Sequence, residues 1–278
     1  MLKIKKIFQN RIKLYIRTHS VSKRQQLIVI SLILTLLMLI TLVSEEEYRY
    51  LFILLLSVST YLLAAYGLRD DLNGIEWFTL LSLPTVLSIT FSTFYFFLPV
   101  RWLTRIPFLV FYGISIYAVL LTENIYNVAA NRTIALLRAA HTIGFIVSLI
   151  VFFLFATIIY YLRMPFYQNA ILMLIFTFIL SLQLFWSVIL SQKFEQGIIK
   201  YSIICAFIIS EFSIIFSFIP VSTTLICIAL TTIFYCFSGI TQQFLMEKLY
   251  KKTVNEFYLL FIFVIIILSL GISWRGGI

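Results

Sequence analysis

Long uninterrupted apolar blocks constrain the fold of this chain more than any other feature of its sequence. Each block is roughly twenty residues long, the length that an α-helix needs to cross about 30 Å of hydrocarbon. Membrane β-strands would instead alternate apolar and polar residues over about ten positions, so the pattern predicts helices. The blocks are Leu27–Val43, Tyr50–Gly67, Trp77–Leu98, Ile106–Thr122, Thr142–Leu162, Ala170–Leu190, Tyr201–Ile219, Val221–Phe244 and Phe257–Trp274.

The composition supports a lipid environment for these helices. Of the 278 residues, 62% are hydrophobic and 12% are charged, whereas a soluble domain carries about a quarter charged residues. We therefore predict an all-α fold, a polytopic transmembrane helix bundle of about nine spans, located in the cytoplasmic membrane of a bacterium. Residues 27–278 would form its single integral membrane domain, and residues 1–26 would form a basic cytoplasmic arm.

The distribution of basic residues predicts the orientation of the bundle. Residues 1–26 hold eight of the 21 Lys and Arg side chains and no Asp or Glu. Across nine spans, 16 basic residues fall on the side of the N-terminus and five on the other, so the positive-inside rule predicts N-in/C-out. Basic residues beside apolar blocks also meet anionic lipid headgroups. The expected partner is therefore the lipid bilayer, and nucleic acid is not expected.

The first eighteen residues show the pattern of a basic amphipathic helix that lies in the headgroup layer. The alternative is a frayed cationic tail that only sets the orientation. The apolar side chains that share one helical face are Ile4, Phe8, Ile12 and Tyr15, and the basic ones on another face are Lys3, Lys6, Lys13 and Arg17.

Glu211 is the acidic residue that stands out within an apolar block. A charged side chain at such depth costs about 3 kcal/mol on insertion scales, so we expect Glu211 to face the bundle interior. Two roles remain open for it: a protonatable site on an ion or substrate path, or a neutral carboxylic acid that holds helices together. The polar residues of neighbouring spans expected at a similar depth are Gln183, Thr231 and Thr232.

Polar residues recur at helical spacing in the connector between the fourth and fifth blocks, residues 123–141. Such a stripe predicts an amphipathic helix that binds an anionic headgroup, bridges neighbouring helices, or presents a solvated face to the cytoplasm. The stripe consists of Asn124, Asn127, Asn131, Arg138 and His141.

The same connector carries a resemblance to a known group of proteins. The run NVAANRTIALLRAAH, followed directly by TIGFIVSLIVFFL, is similar to a segment of a family of uncharacterised multi-span membrane proteins from small-genome candidate-phylum bacteria. The basic N-terminus and the short acidic first loop also resemble that family, and the likeness extends over most of the chain. It implies a membrane protein and transfers no activity.

No established catalytic or metal-binding motif is present in the sequence. The signatures HExxH, GxSxG and the phosphate-binding loop are absent, and the three cysteines lack the spacing of metal ligands. The run Glu45-Glu46-Glu47 resembles the acidic motif of membrane glycosyltransferases that use lipid-linked sugars, but it lies in a loop of a few residues. We expect neither a metal nor a cofactor.

Three functions fit these observations. The favoured one is a non-enzymatic membrane protein that binds or moves a small solute, ion or lipid within its bundle, with Glu211 and the connector residues as candidate binding side chains. The second is an envelope scaffold or assembly protein in which the same residues hold helices together. The third is a membrane-embedded transferase for a lipid-linked substrate, which depends on the acidic first loop alone.

Overall fold

The computed structural model describes residues 22–69, 72, 74–99, 101–130, 135–191, 193 and 195–271. Within these ranges the chain forms α-helices, one short 3-10 helix and no β-strand. Nine of the described helices are long and apolar enough to cross a membrane. The predicted all-α class and the number of candidate spans are therefore confirmed, whereas the proposed helix over residues 1–18 lies outside the described residues.

Each helix overlaps one of the apolar blocks read from the sequence. The helices are α1 (Lys23–Val43), α2 (Arg49–Leu68), α3 (Glu76–Tyr95), α4 (Trp102–Ala129), α5 (Leu137–Tyr161), α6 (Phe166–Ile189), α7 (Gln196–Ser217), α8 (Thr223–Leu245) and α9 (Lys251–Gly271), with the 3-10 helix Glu46–Tyr48 before α2.

Local sequence sets several of the helix ends. The Ser22 hydroxyl accepts a hydrogen bond from the Gln25 amide at 3.3 Å, and the Gln25 side chain accepts one from the Ser22 amide at 3.0 Å. This reciprocal capping box satisfies two amides at the start of α1. Pro165 directly precedes α6, where its missing N–H removes no helical hydrogen bond. Leu190 ends that helix in the left-handed conformation, with φ of 54°.

The central helices of the bundle are α3 and α5, and the last helix is peripheral. Helix α3 packs against α1, α2, α4, α5 and α6, and α5 packs against α3, α4, α6 and α8. Helix α9 packs against α8, and Leu268 is its one buried residue within the described chain. Among the described residues, α9 is therefore held to the bundle mainly by its contact with α8.

Hydroxyl groups link helices inside the apolar core. The Thr60 hydroxyl donates to Ser88 Oγ at 3.0 Å, and Ser88 Oγ lies 2.8 Å from the Tyr112 hydroxyl, which joins α2, α3 and α4. The Tyr160 hydroxyl donates to the Ser213 carbonyl at 3.0 Å and joins α5 to α7. Such bonds satisfy polar groups away from water and contribute modestly to helix association.

Candidate functional site

The connector predicted over residues 123–141 is two helix ends and not one helix. Helix α4 continues to Ala129 and α5 begins at Leu137, so the predicted single stripe is wrong. Asn131 lies outside the described residues. The error arose because the polar residues after Thr122 were read as the end of the span, whereas they continue α4 and several are buried against its neighbours. The remaining stripe residues are divided between the end of α4 and the start of α5.

Glu123 is the buried acid of this region. It is 0% exposed, and its Oε1 accepts a hydrogen bond of 2.8 Å from Gln183 Nε2 on α6. Its second oxygen, Oε2, has no hydrogen-bond partner within the described chain. Sequence reasoning placed Gln183 beside Glu211, but the structure pairs it with Glu123.

Asn127 and His141 each form a hydrogen bond with a backbone carbonyl of another helix. Asn127 Nδ2 donates to the Leu68 carbonyl at the end of α2, at 2.8 Å. His141 Nε2 lies 2.9 Å from the Ser187 carbonyl on α6, and since a carbonyl only accepts, this nitrogen carries the hydrogen. The two predicted stripe residues therefore bond to different helices, Asn127 to the end of α2 and His141 to α6. Asn124 is half-buried on α4.

Tyr126 joins the ends of α4 and α5. Its hydroxyl donates to the Ala140 carbonyl at 3.0 Å, and its ring centroid lies 5.6 Å from that of His141. A Cβ at Gly144 would come within 2.8 Å of the Tyr126 hydroxyl, so the absence of a side chain at Gly144 permits this approach. Tyr126 thus connects the end of α4 to Ala140 and His141 of α5.

His141 also lines a cavity of about 700 Å³ between α5, the end of α6, α8 and the start of α9. Arg138 and Lys248 bring two positive charges to its wall, and no acidic side chain of the described chain lines it. Gln242 lines the cavity as well; it is 7% exposed, and its Nε2 has no hydrogen-bond acceptor within the described chain. The polar side of the cavity therefore offers hydrogen-bond donors and positive charge to a ligand.

Aromatic side chains form another part of the cavity lining. Phe145 and Tyr235 have ring centroids 5.6 Å apart, and Tyr235 lies 5.2 Å from Phe257. Gly239 allows Phe257 to approach, since a Cβ there would lie 2.6 Å from the ring. Cationic donors on one wall and aromatic rings on another suit an amphipathic anion.

Glu211 does not face the bundle interior, so that expectation is wrong. Its side chain is exposed on the outer face of α7, between Phe207 and Ile215, which are 54% and 50% exposed. The buried face of α7 combines small residues, such as Ser202 and Ser213, with larger apolar residues such as Ile209. The two proposed threonine partners bond within their own helix: Thr231 donates to the Cys227 carbonyl and Thr232 to that of Ile228.

The other candidate residues contribute little to this site. The first loop is exposed, and Glu46 forms an ion pair of 3.1 Å with Arg49. The three cysteines are buried free thiols, in agreement with core side chains. Among the described residues no group of three His, Cys, Asp or Glu side chains could hold a metal.

A sequence model described as "Protein of unknown function (DUF5656)" matches residues 64–271. The chain belongs to the DUF5656 family. The DUF5656 region contains Glu123, Gln183 and every residue that lines the cavity. The family match agrees with the expectation of an uncharacterised family. The expected origin in candidate-phylum bacteria is not shown by the match. No curated protein and no solved structure matches the chain.

Sequence reasoning missed three residues of the region, Glu123, Gln242 and Lys248, and it expected Gln183 at the depth of Glu211 and not at Glu123. For Glu123 a signal was available, because it precedes Asn127 by four residues and so lies on the same helical face if α4 continues. Lys248 follows α8 and was counted only as an orientation signal. Gln242 gave no signal, because nothing in the sequence shows which neighbours a residue near the end of α8 meets.

Proposed function

We propose that this protein is a multi-pass protein of the bacterial cytoplasmic membrane, with its N-terminus in the cytoplasm, that binds an anionic phospholipid in the cavity formed by α5, α6, α8 and α9. It acts by binding and not by catalysis. The observation that carries this proposal is the juxtaposition of Arg138, Lys248 and the unpartnered Gln242 amide with an aromatic wall.

The positions of these residues along the helices support a headgroup site. Arg138 and His141 lie in the first turns of α5, and Lys248 follows α8. Under the proposed orientation these ends are cytoplasmic, where anionic lipids give the membrane surface its negative potential. Phe145 and Tyr235 lie further along the same helices and would contact acyl chains. A headgroup phosphate would then meet the guanidinium, which binds phosphate oxygens with paired hydrogen bonds.

Native mass spectrometry of the purified full chain tests the proposal. Phosphatidylglycerol should bind more tightly than phosphatidylcholine, which is zwitterionic. Arg138→Gln and Lys248→Gln should each weaken phosphatidylglycerol binding about fivefold, since a basic residue near an anionic lipid contributes about 1 kcal/mol. The loss should shrink in high salt.

Lys252→Gln is the matched control, because Lys252 is an exposed basic residue at the same end of the bundle that does not line the cavity. It should bind phosphatidylglycerol as the wild type does. Equal affinity for the two lipids, or unchanged binding by both cavity variants, would leave the scaffold hypothesis in place. Displacement of the lipid by soluble glycerol 3-phosphate would show that the site takes a free phosphate compound instead.

A further inference from the structure

We propose that Glu123, Asn127 and Gln183 form a site for a small monovalent cation such as Na⁺, separate from the lipid cavity. The site lies where the last turns of α4 meet α6 and the end of α2. Its ligands would be side-chain oxygens, which hard cations prefer.

Three buried oxygens in this cluster have no hydrogen-bond donor within the described chain. They are Glu123 Oε2, Asn127 Oδ1 and Gln183 Oε1, on side chains that are 0%, 2% and 2% exposed. Each such atom costs roughly 1–3 kcal/mol if it stays unbonded, and folded proteins contain few of them. Two of these acceptors belong to a hydrogen-bonded pair and the third to the side chain one helical turn from Glu123, and together they indicate a positively charged occupant.

Hydrogen bonds fix both amides so that their oxygens remain available. Gln183 Nε2 donates to Glu123 Oε1 at 2.8 Å, which holds the Gln183 oxygen beside the carboxylate. Asn127 Nδ2 donates to the Leu68 carbonyl at 2.8 Å. Asn127 lies one helical turn after Glu123, the spacing at which side chains on a helix are neighbours.

The charge of the cluster selects a monovalent ion. No basic side chain of the described chain bonds to Glu123, so its buried carboxylate lacks a compensating charge. One positive charge neutralises the site, whereas a divalent ion would leave an uncompensated positive charge in an apolar interior.

The end of α2 adds negative potential at the same place. Leu68 is the last residue of α2, and the carbonyls at a helix C-terminus attract cations. Lys23 Nζ already lies 3.3 Å from the Gly67 carbonyl, so this helix end gathers positive groups. The proposed cation at Glu123 would be a second positive charge near this helix end.

Thermal unfolding of the purified full chain tests the site. Replacing choline chloride with NaCl at constant ionic strength should raise the unfolding midpoint in a saturable way, because a ligand that binds only the folded state stabilises it. Glu123→Gln keeps the shape and removes the charge, and should weaken Na⁺ binding at least tenfold. Glu211→Gln, at the exposed acid, should keep the wild-type shift.

Binding of ²²Na⁺ to the wild type gives a readout that needs no variant, and unlabelled NaCl should displace it. Absence of displaceable ²²Na⁺, or an equal Na⁺-dependent shift in Glu123→Gln, would overturn the proposal. It would also fail if acidification from pH 8 to pH 5 raised the midpoint while NaCl had no effect, because the carboxyl group would then take a proton in place of the ion.

Discussion

Glu123 and Glu211 are both acids within candidate membrane helices, yet their environments are opposite. Glu123 is enclosed by α4 and α6 and receives a hydrogen bond from Gln183, whereas Glu211 lies on the outer face of α7. The sequence around Glu211 is apolar on every side, so hydrophobic periodicity cannot show which way it points. The informative signal was the small-residue face of α7, which includes Ser202, Cys205 and Ser213, since small residues mark helix contacts in membranes.

Gln183→Leu tests the energetic role of the buried acid–amide pair. The change leaves both Glu123 oxygens without a donor and should lower the free energy of unfolding by about 1–3 kcal/mol in sodium-free buffer. The double variant Glu123→Leu/Gln183→Leu should recover most of that loss, because replacing both partners by apolar groups is nearly neutral. Thermal or denaturant unfolding in detergent, followed by circular dichroism, gives the comparison.

If the losses in unfolding free energy caused by the two single substitutions simply add in the double variant, the two side chains do not interact. Glu211→Leu is the control for removal of an acid from a candidate span. Because Glu211 is exposed on an apolar face, its replacement should leave stability unchanged or increase it. A larger loss for Glu211→Leu than for Gln183→Leu would contradict the placement of both acids.

At the scale of the helices, the sequence predicted which segments are helical but did not predict where each helix begins and ends. Helix α7 was predicted over Tyr201–Ile219 and spans Gln196–Ser217. Most of this helix lies within its apolar block, so hydropathy was enough to locate it. Helix α4 was predicted over Ile106–Thr122 and spans Trp102–Ala129. Polar residues that other helices bury extend α4 beyond its apolar block, and hydropathy alone reads them as a loop. Glu123 lies in that extension, which is why this buried acid was missed.

The contact between α8 and α9 offers a test at the same scale. A Cβ at Gly239 would lie 2.6 Å from the Phe257 ring, and α9 has Leu268 as its one buried residue in the described chain. Gly239→Val should therefore displace α9, increase amide hydrogen exchange in residues 251–271 and leave exchange in α6 and α7 unchanged.

Gly197→Ala is the matched control, because no atom lies within 4 Å of a Cβ at that position. It should leave exchange unchanged and slightly stabilise α7, by up to about 1 kcal/mol, since Ala favours helix over Gly. Exchange in α9 that does not respond to Gly239→Val would show that the helix is held by more than its contact with α8.

For the whole molecule, the proposed orientation predicts opposite locations for the two termini. An odd number of spans with a cytoplasmic N-terminus places Ile278 on the external side. A cytoplasm-active reporter should work when inserted at Arg24, and an externally active one when fused after Ile278. Activity of the same reporter at both positions would require an even number of crossings, so one of the nine candidate helices would lie outside the membrane.

The length of α4 has a consequence for how the bundle meets its bilayer. Its 28 residues rise about 42 Å, whereas the hydrocarbon layer is about 30 Å thick. If it spans such a bilayer as proposed, the helix would tilt strongly or project roughly 12 Å beyond the acyl chains. Under the proposed orientation, the first turns of α4 would lie at the external interface, and projection would carry Glu123 and Asn127 to the level of the cytoplasmic headgroups. Hydrated ions would reach the site there without crossing the hydrocarbon layer. Bilayer thickness would then tune the occupancy of the site, and membranes of longer-chain lipids would restrict its exchange with the cytosol.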